Sequence, residues 1–279
     1  MPRLARTAAA VVAATIVSAL VAAAPALAVD GGVPDRGAHP NVGLLGFDVD
    51  REGDTPPFAL CSGSVVSDSV FLTAAHCIAA VPDAQWVVTL DGGGPGGPVA
   101  TAGFYPDDFP FFMTGPVYRS LGTAVHPGFD GSTSHGNDLA VVLFPHGTFA
   151  GVTPVRLPRA GVLDELAAEG VLRGRSVTLV GYGVDAQLGP PRYFFAGYRR
   201  TATARVQALT PRWLRIQQTA AATGQGGLCY GDSGSPQLLD GTAVSVFSRH
   251  ARTCQGTSRE QRLDTPSARD FLSGFVPLP

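Results

Sequence analysis

The sequence predicts an all-β fold, and three observations carry that prediction. Short apolar runs rich in β-branched residues recur along the chain, clusters of glycine and proline separate them, and only one segment has a helical period. The runs are Val42 to Phe47, Gln85 to Leu90, Leu139 to Phe144, Ser176 to Gly181 and Thr242 to Phe247. Each has the length of a strand and is bounded by turn formers, and β-branched side chains pack well on a pleated surface. Their spacing suits a sandwich or barrel. The helical segment closes the chain. Thr265 is a favourable N-cap and Pro266 a favourable first-turn residue, after which Ala268, Phe271, Leu272 and Phe275 fall at i, i+3, i+4 and i+7.

The first thirty residues read as a targeting device. Arg3 and Arg6 give a positive start, Ala8 to Ala24 is an uncharged apolar run, and Ala26-Leu27-Ala28 is a small-x-small cleavage signal. The rival reading is an uncleaved anchor, since the run nearly reaches bilayer-spanning length. Cleavage after Ala28 makes residues 1–28 a signal peptide and leaves 251 of the 279 residues, secreted and free of the membrane. With Arg3 and Arg6 gone, 18 of the 20 basic residues remain against 22 acidic ones, a net charge near −4. That charge argues against a nucleic-acid partner. The remaining length suits one large barrel or two smaller ones. Linker candidates are Pro145 to Gly151 and the stretch around Pro158 to Gly174; the first divides the chain into 29–145 and 146–279. Asp91 to Pro98, DGGGPGGP, reads as a flexible surface loop.

Outside the cytoplasm thiols oxidise. The four cysteines allow three pairings, and sequence proximity favours Cys61 with Cys77 and Cys229 with Cys254. Each bridge closes a short loop and contributes about 3 kcal/mol on a chain-entropy estimate. Neither pair has zinc-knuckle spacing. His39, His126, His135, His146 and His250 lack metal spacing too, and Asp107 with Asp108 sit in no EF-hand loop. No metal or cofactor is expected. His126 and His146 adjoin prolines, which places them in solvated loops, and His135 lies in a glycine- and serine-rich loop.

One serine has a setting that calls for chemistry. Leu228 to Pro236 reads LCYGDSGSP, with Ser233 between glycines, an Asp before it and a Cys four residues upstream. A serine is a weak nucleophile until a base takes its proton, and the base needs a third group to orient it. The histidine that fits is His76 in Thr73-Ala74-Ala75-His76-Cys77, where an apolar strand ends in a small-residue turn and the adjacent cysteine can pin the ring. The carboxylate that fits is Asp138 in Gly136-Asn137-Asp138-Leu139-Ala140, polar at the mouth of an apolar strand. The chain order is His, Asp, Ser, which differs from the α/β-hydrolase and subtilisin orders; Gly231-Asp232-Ser233-Gly234-Ser235 also lacks the final glycine of the G-x-S-x-G elbow.

The strings TAAHC around His76, NDLAVV around Asp138 and CYGDSGSP around Ser233 resemble, in this order, the signatures of the chymotrypsin-like (trypsin-fold) serine proteases, and within them secreted bacterial members. Cys61 precedes His76 by the family's interval, and Val180-Gly181-Tyr182-Gly183, Ser248 and the closing helix extend the likeness over the mature chain. The resemblance implies two packed six-stranded antiparallel β-barrels with a C-terminal α-helix, the site lying between them. His76 is then general base and general acid, Asp138 orients it, and Ser233 attacks peptide bonds. The N–H groups of Gly231 and Ser233 form the oxyanion hole, donors worth about 3 kcal/mol each; glycine at 231 leaves room for the approaching carbonyl. It also implies that signal cleavage exposes Val29, whose amine pairs with Asp232, although Asp30 stands where the family prefers an apolar residue. The substrate pocket is expected at Gly227, Ser248, His250 and Ser258, with no acidic floor to favour Arg or Lys and with His250 narrowing the wall or offering a cation. Ser248 has a second role in the family, supporting Asp138. Expected partners are polypeptide substrates and a protein inhibitor, the chain being a monomer. The competing function is that of a catalytically silent relative that uses the same fold to bind a partner.

Overall fold

The structure is a computed structural model that describes residues 29–48, 55–185 and 192–279. The expected signal peptide, 1–28, lies outside the described residues. Among the described residues no helix is long and apolar enough to cross a membrane.

Two large antiparallel sheets dominate. In the second half, six strands close on themselves: Arg200–Leu209, Ser176–Gly181, Pro236–Leu239, Thr242–Arg249, Arg259–Arg262 and Trp213–Gln217, the last pairing back onto the first. In the first half, Tyr118–Arg119, Gln85–Thr89, Val42–Asp48, Phe58–Val65, Val70–Thr73, Ala140–Leu143 and Gly122–Val125 follow one another in a half-barrel. The expected two-barrel architecture is therefore present, with one barrel closed and the other open among the described residues. Its central strands bury both faces, which is why they read as nearly continuous apolar runs; Val70–Thr73 is buried throughout and Val42–Asp48 nearly so.

Both ends of the chain cross the boundary near residue 145. Val33 and Pro34 pair with Thr201 and Arg200 of the closed barrel. The C-terminal helix, Pro266–Ser273, starts as expected at Thr265, whose hydroxyl accepts from the Ala268 amide at 3.4 Å. It buries Ala268 and Leu272 in the core of the first half, and Phe275 lies beyond its end. A small sheet joins the halves as well: Gly103–Tyr105 pairs with Tyr193–Phe195, which pairs with Val184–Asp185.

Three expectations change. The stretch around Pro158 to Gly174 is no simple linker, because it holds the helix Val162–Ala168. In Pro145 to Gly151, Phe149 is buried in the core against Phe144, so that segment is packed as well as connecting. His126 is also no solvated loop residue. It is buried, with Nε2 3.1 Å from the Ser267 carbonyl and its ring 5.1 Å from Phe271, and it ties the first half to the closing helix.

Candidate active site

Strand register brings His76 and Asp138 together. Val70–Thr73 and Ala140–Leu143 are antiparallel neighbours with Thr73 opposite Ala140, so the turn after one strand and the residue before the other meet at one end. His76 lies on the short helix Ala75–Ala80 that follows. Its Nδ1 is 2.8 Å from Asp138 Oδ2, and its backbone N–H donates to Oδ1 at 2.8 Å. A third donor comes from the closed barrel, where the Ser248 hydroxyl reaches Oδ2 at 2.5 Å. The Asp138 side chain is wholly buried, and three donors replace the water it gave up. Donation from Nδ1 fixes the ring tautomer and leaves Nε2 as an acceptor.

Ser233 sits in a tight turn of the closed barrel that docks on the first half. The Ser62 amide donates to the Ser233 carbonyl at 2.8 Å, and the Ser62 hydroxyl donates to the Gly231 carbonyl at 2.9 Å. The docking needs glycine at 234: φ is +86°, and a Cβ there would lie 2.2 Å from Thr73 Oγ1 and 2.3 Å from the Ser62 carbonyl oxygen. His76, Gly231 and Ser233 line one groove, whose walls are Leu44, Phe111, Phe195, Tyr105 and Tyr230. Stacked rings stiffen it, Phe111 on Phe195 at 4.4 Å and Tyr105 on Tyr230 at 5.1 Å. Among the described residues the Ser233 hydroxyl makes no hydrogen bond to the His76 ring, and Nε2 faces Cys77 Sγ at 3.8 Å. Neither the Gly231 nor the Ser233 amide donates to another described residue.

Both expected disulfides are formed. Cys61–Cys77 clamps the strand beneath the groove to the helix of His76, and Cys229–Cys254 ties the Ser233 turn to the segment after His250. The sulfurs beside His76 therefore offer no thiolate to a metal.

Asp232 points away from the groove into a buried pocket, where it accepts from the Gly183 amide at 2.8 Å and the Cys229 amide at 3.0 Å. Gly181 and Gly183 make room for it, since a Cβ on either would lie 2.2 to 2.3 Å from the carboxyl group. Burial pushes its pKa up to about 7, against the pull of those amides and of Arg200. Val29 is buried, its nitrogen being a peptide nitrogen in the full chain, and the Asp30 carbonyl accepts from the Gly227 amide at 2.8 Å. The Asp30 carboxyl is likewise raised to about 7, by burial and then by Asp185.

The four expected pocket residues have different surroundings. Ser248 is turned to Asp138. Ser258 is buried with its hydroxyl on the Glu260 carboxyl, which burial pushes well above the usual range. Gly227 backs onto Gln218, whose carbonyl oxygen would lie 2.9 Å from a Cβ at that position. His250 packs edge-on against Tyr230 at 4.6 Å. Burial and then the nearby His76 push its imidazole below the usual value, so it is a poor source of the cation expected there. Sequence reasoning missed Ser62, Gln218 and Glu260. Ser62 carries no local signal, and the other two are polar residues whose burial depends on strands distant in sequence.

The closed barrel, the half-barrel and the groove between them define the chymotrypsin-like class of fold. A family model described as Trypsin matches residues 113–268, which include Asp138 and Ser233, and the chain belongs to the trypsin family. No curated protein matches. Among solved structures, the chain is similar to human heparin binding protein at 17% identity and a TM-score of 0.58, covering 90% of this chain and 99% of that one. It is also similar to HL collagenase at 19% identity and a TM-score of 0.61, covering 88% and 97%. At these identities the likeness is one of fold.

Proposed function

We propose that the chain is a secreted bacterial serine endopeptidase that hydrolyses peptide bonds through an acyl-enzyme. The observation that carries this reading is the buried Asp138 carboxylate, bonded to the Ser248 hydroxyl and to Nδ1 of His76, which lines the same groove as Ser233. His76 Nε2 takes the Ser233 proton as Oγ attacks the scissile carbonyl, and the Gly231 and Ser233 amides, free of other described partners, receive the oxyanion. The imidazolium, stabilised by Asp138, returns the proton to the leaving amine. Water then repeats the sequence on the acyl-serine. Signal cleavage after Ala28 frees the Val29 amine to meet Asp232; the burial of Val29 and the bridge from Asp30 to Gly227 support this placement. We read the mature chain as a monomer whose partners are polypeptide substrates and a protein inhibitor.

One observation favours a second reading, a silent protein that binds a partner with this fold: Ser233 and His76 are not bonded, Nε2 facing Cys77 instead. Incubation of the secreted chain with a fluorophosphonate separates the two. The hydrolytic reading expects stoichiometric labelling of Ser233, abolished in Ser233→Ala. A folded chain that stays unlabelled would pass the function to the binding reading.

A further inference from the structure

Beyond the His250 ring the reactive groove meets a second cavity of different chemistry. Tyr230 lines the groove with Ser233, and His250, edge-on to Tyr230, lines the neighbouring cavity with Ser134, Arg215, Arg249 and Arg259. This cavity is joined to the support of Asp138. Arg249 directly follows Ser248, Ser134 lies four residues before Asp138, and Arg249 Nη1 donates to Ser134 Oγ at 2.5 Å. A polypeptide bound at Ser233 in the aromatic groove thus has this cavity as a neighbour across the Tyr230–His250 contact.

The charge of the cavity is unbalanced. Its three arginines come from three strands, and Arg249 and Arg259 are direct cross-strand partners. Like charges placed opposite each other are destabilising in a sheet. Among the described residues none of the three forms an ion pair, and what sets them apart from other unpaired arginines is that they share one cavity. No Asp or Glu lines the cavity. Glu260, the acid closest to Arg215 in effect, is buried with its carboxyl on Ser258. The chain as a whole carries a net negative charge, so a basic trio without a partner is not a consequence of composition.

We propose that this cavity is a subsite for an acidic side chain of the polypeptide substrate, next to the aromatic groove across the Tyr230–His250 contact. The inference rests on the hydrolytic reading above and gives it a substrate class. Guanidinium groups bind a carboxylate through paired, charge-assisted hydrogen bonds, which a neutral amide of the same shape cannot match. The acid also relieves the Arg249–Arg259 repulsion.

The test uses the mature chain and a peptide series in which each position on either side of the cleaved bond carries Glu, Gln or Arg in turn. One position on one flank is expected to favour Glu over Gln by about tenfold in kcat/KM, the worth of a charged hydrogen-bond pair at a partly exposed site. The preference shrinks with added salt and disappears in Arg259→Gln and in Arg249→Gln. A parallel measurement of peptide binding to Ser233→Ala, by fluorescence anisotropy, reads the cavity without catalysis. Selective binding of the Glu peptide by a chain that cleaves nothing would reject the hydrolytic reading and keep the acidic site. Equal kcat/KM and equal binding for Glu and Gln peptides would overturn the proposal. Arginine-dependent binding of a heparin oligosaccharide, with the two peptides bound alike, would also overturn it.

Discussion

Asp138 is a carboxylate without exposed surface, and its three donors are the His76 ring, the His76 amide and the Ser248 hydroxyl. Removing one donor leaves a buried charge partly unsatisfied. Ser248→Ala is therefore expected to cost about 1–3 kcal/mol in urea unfolding and to slow fluorophosphonate labelling about tenfold. Asp138→Asn keeps the shape but offers an amide where Nδ1 needs an acceptor; labelling should fall by about four orders of magnitude while the circular dichroism spectrum stays unchanged. These residues were legible because each lies in a short string with its own local logic: a strand ending in a small-residue turn, a polar residue at the mouth of an apolar strand, a serine between glycines. Ser62 was not. Its two hydrogen bonds to the Ser233 turn span the two halves of the molecule, and nothing in its neighbours marks it.

Among the elements, the Ser233 turn depends on its seat against Thr73 and Ser62. Gly234→Ala puts a methyl group 2.2 Å from Thr73 Oγ1 on a residue with φ of +86°. The expected result is a loss of at least about 2 kcal/mol, read as a lower urea midpoint, together with loss of labelling. The helix Val162–Ala168 escaped sequence reading because its cap comes from elsewhere. Gly161 precedes it, and the Asp264 carboxylate accepts from the Leu163 amide at 2.9 Å across a separation of 101 residues. Asp264 is also the buried partner of Arg262, at 2.9 Å. Asp264→Ala should destabilise the chain by about 2–4 kcal/mol, since it removes the buried carboxylate of Arg262, leaving that guanidinium only the exposed Asp164 and the Thr210 carbonyl, and uncaps the helix; a thermal melt checks this. The strand Arg259–Arg262, REQR, defeats hydrophobic patterning because its buried polar side chains are satisfied both by close neighbours, Ser258 and Asp264, and by distant ones, the Asp138 amide, Asp164 and the Thr210 carbonyl.

Across the whole molecule, the acidic pocket behind the site couples pH to stability. Burial raises both Asp232 and Asp30 from 3.8 to about 7. A carboxyl whose folded pKa exceeds its unfolded one holds its proton more tightly in the native state. The stability this contributes is full below about pH 4 and is lost as pH rises through about 7. The melting temperature of the full-length chain should therefore fall between about pH 5 and 8. Asp30→Asn should flatten part of that fall, and a profile identical to that of the unaltered chain would remove Asp30 from the account. The pocket assembles from the segment around Asp30, the Gly181–Gly183 turn and the residue before Ser233, so it exists only once that segment has docked on the closed barrel.

The sequence by itself determined the strands whose apolar runs are buried on both faces, the closing helix with its Thr265 cap and the two disulfide pairings, and it singled out His76, Asp138 and Ser233 as candidates. These are local signals, because burial periodicity, capping and turn chemistry act over a few residues. Only the tertiary structure decided that Ser62 holds the Ser233 turn, that Asp264 caps the helix Val162–Ala168, that His126 is buried, and that three arginines converge beside His250. Each of those outcomes depends on which strands become neighbours, and a polar side chain carries no record of the distant partner that will satisfy it.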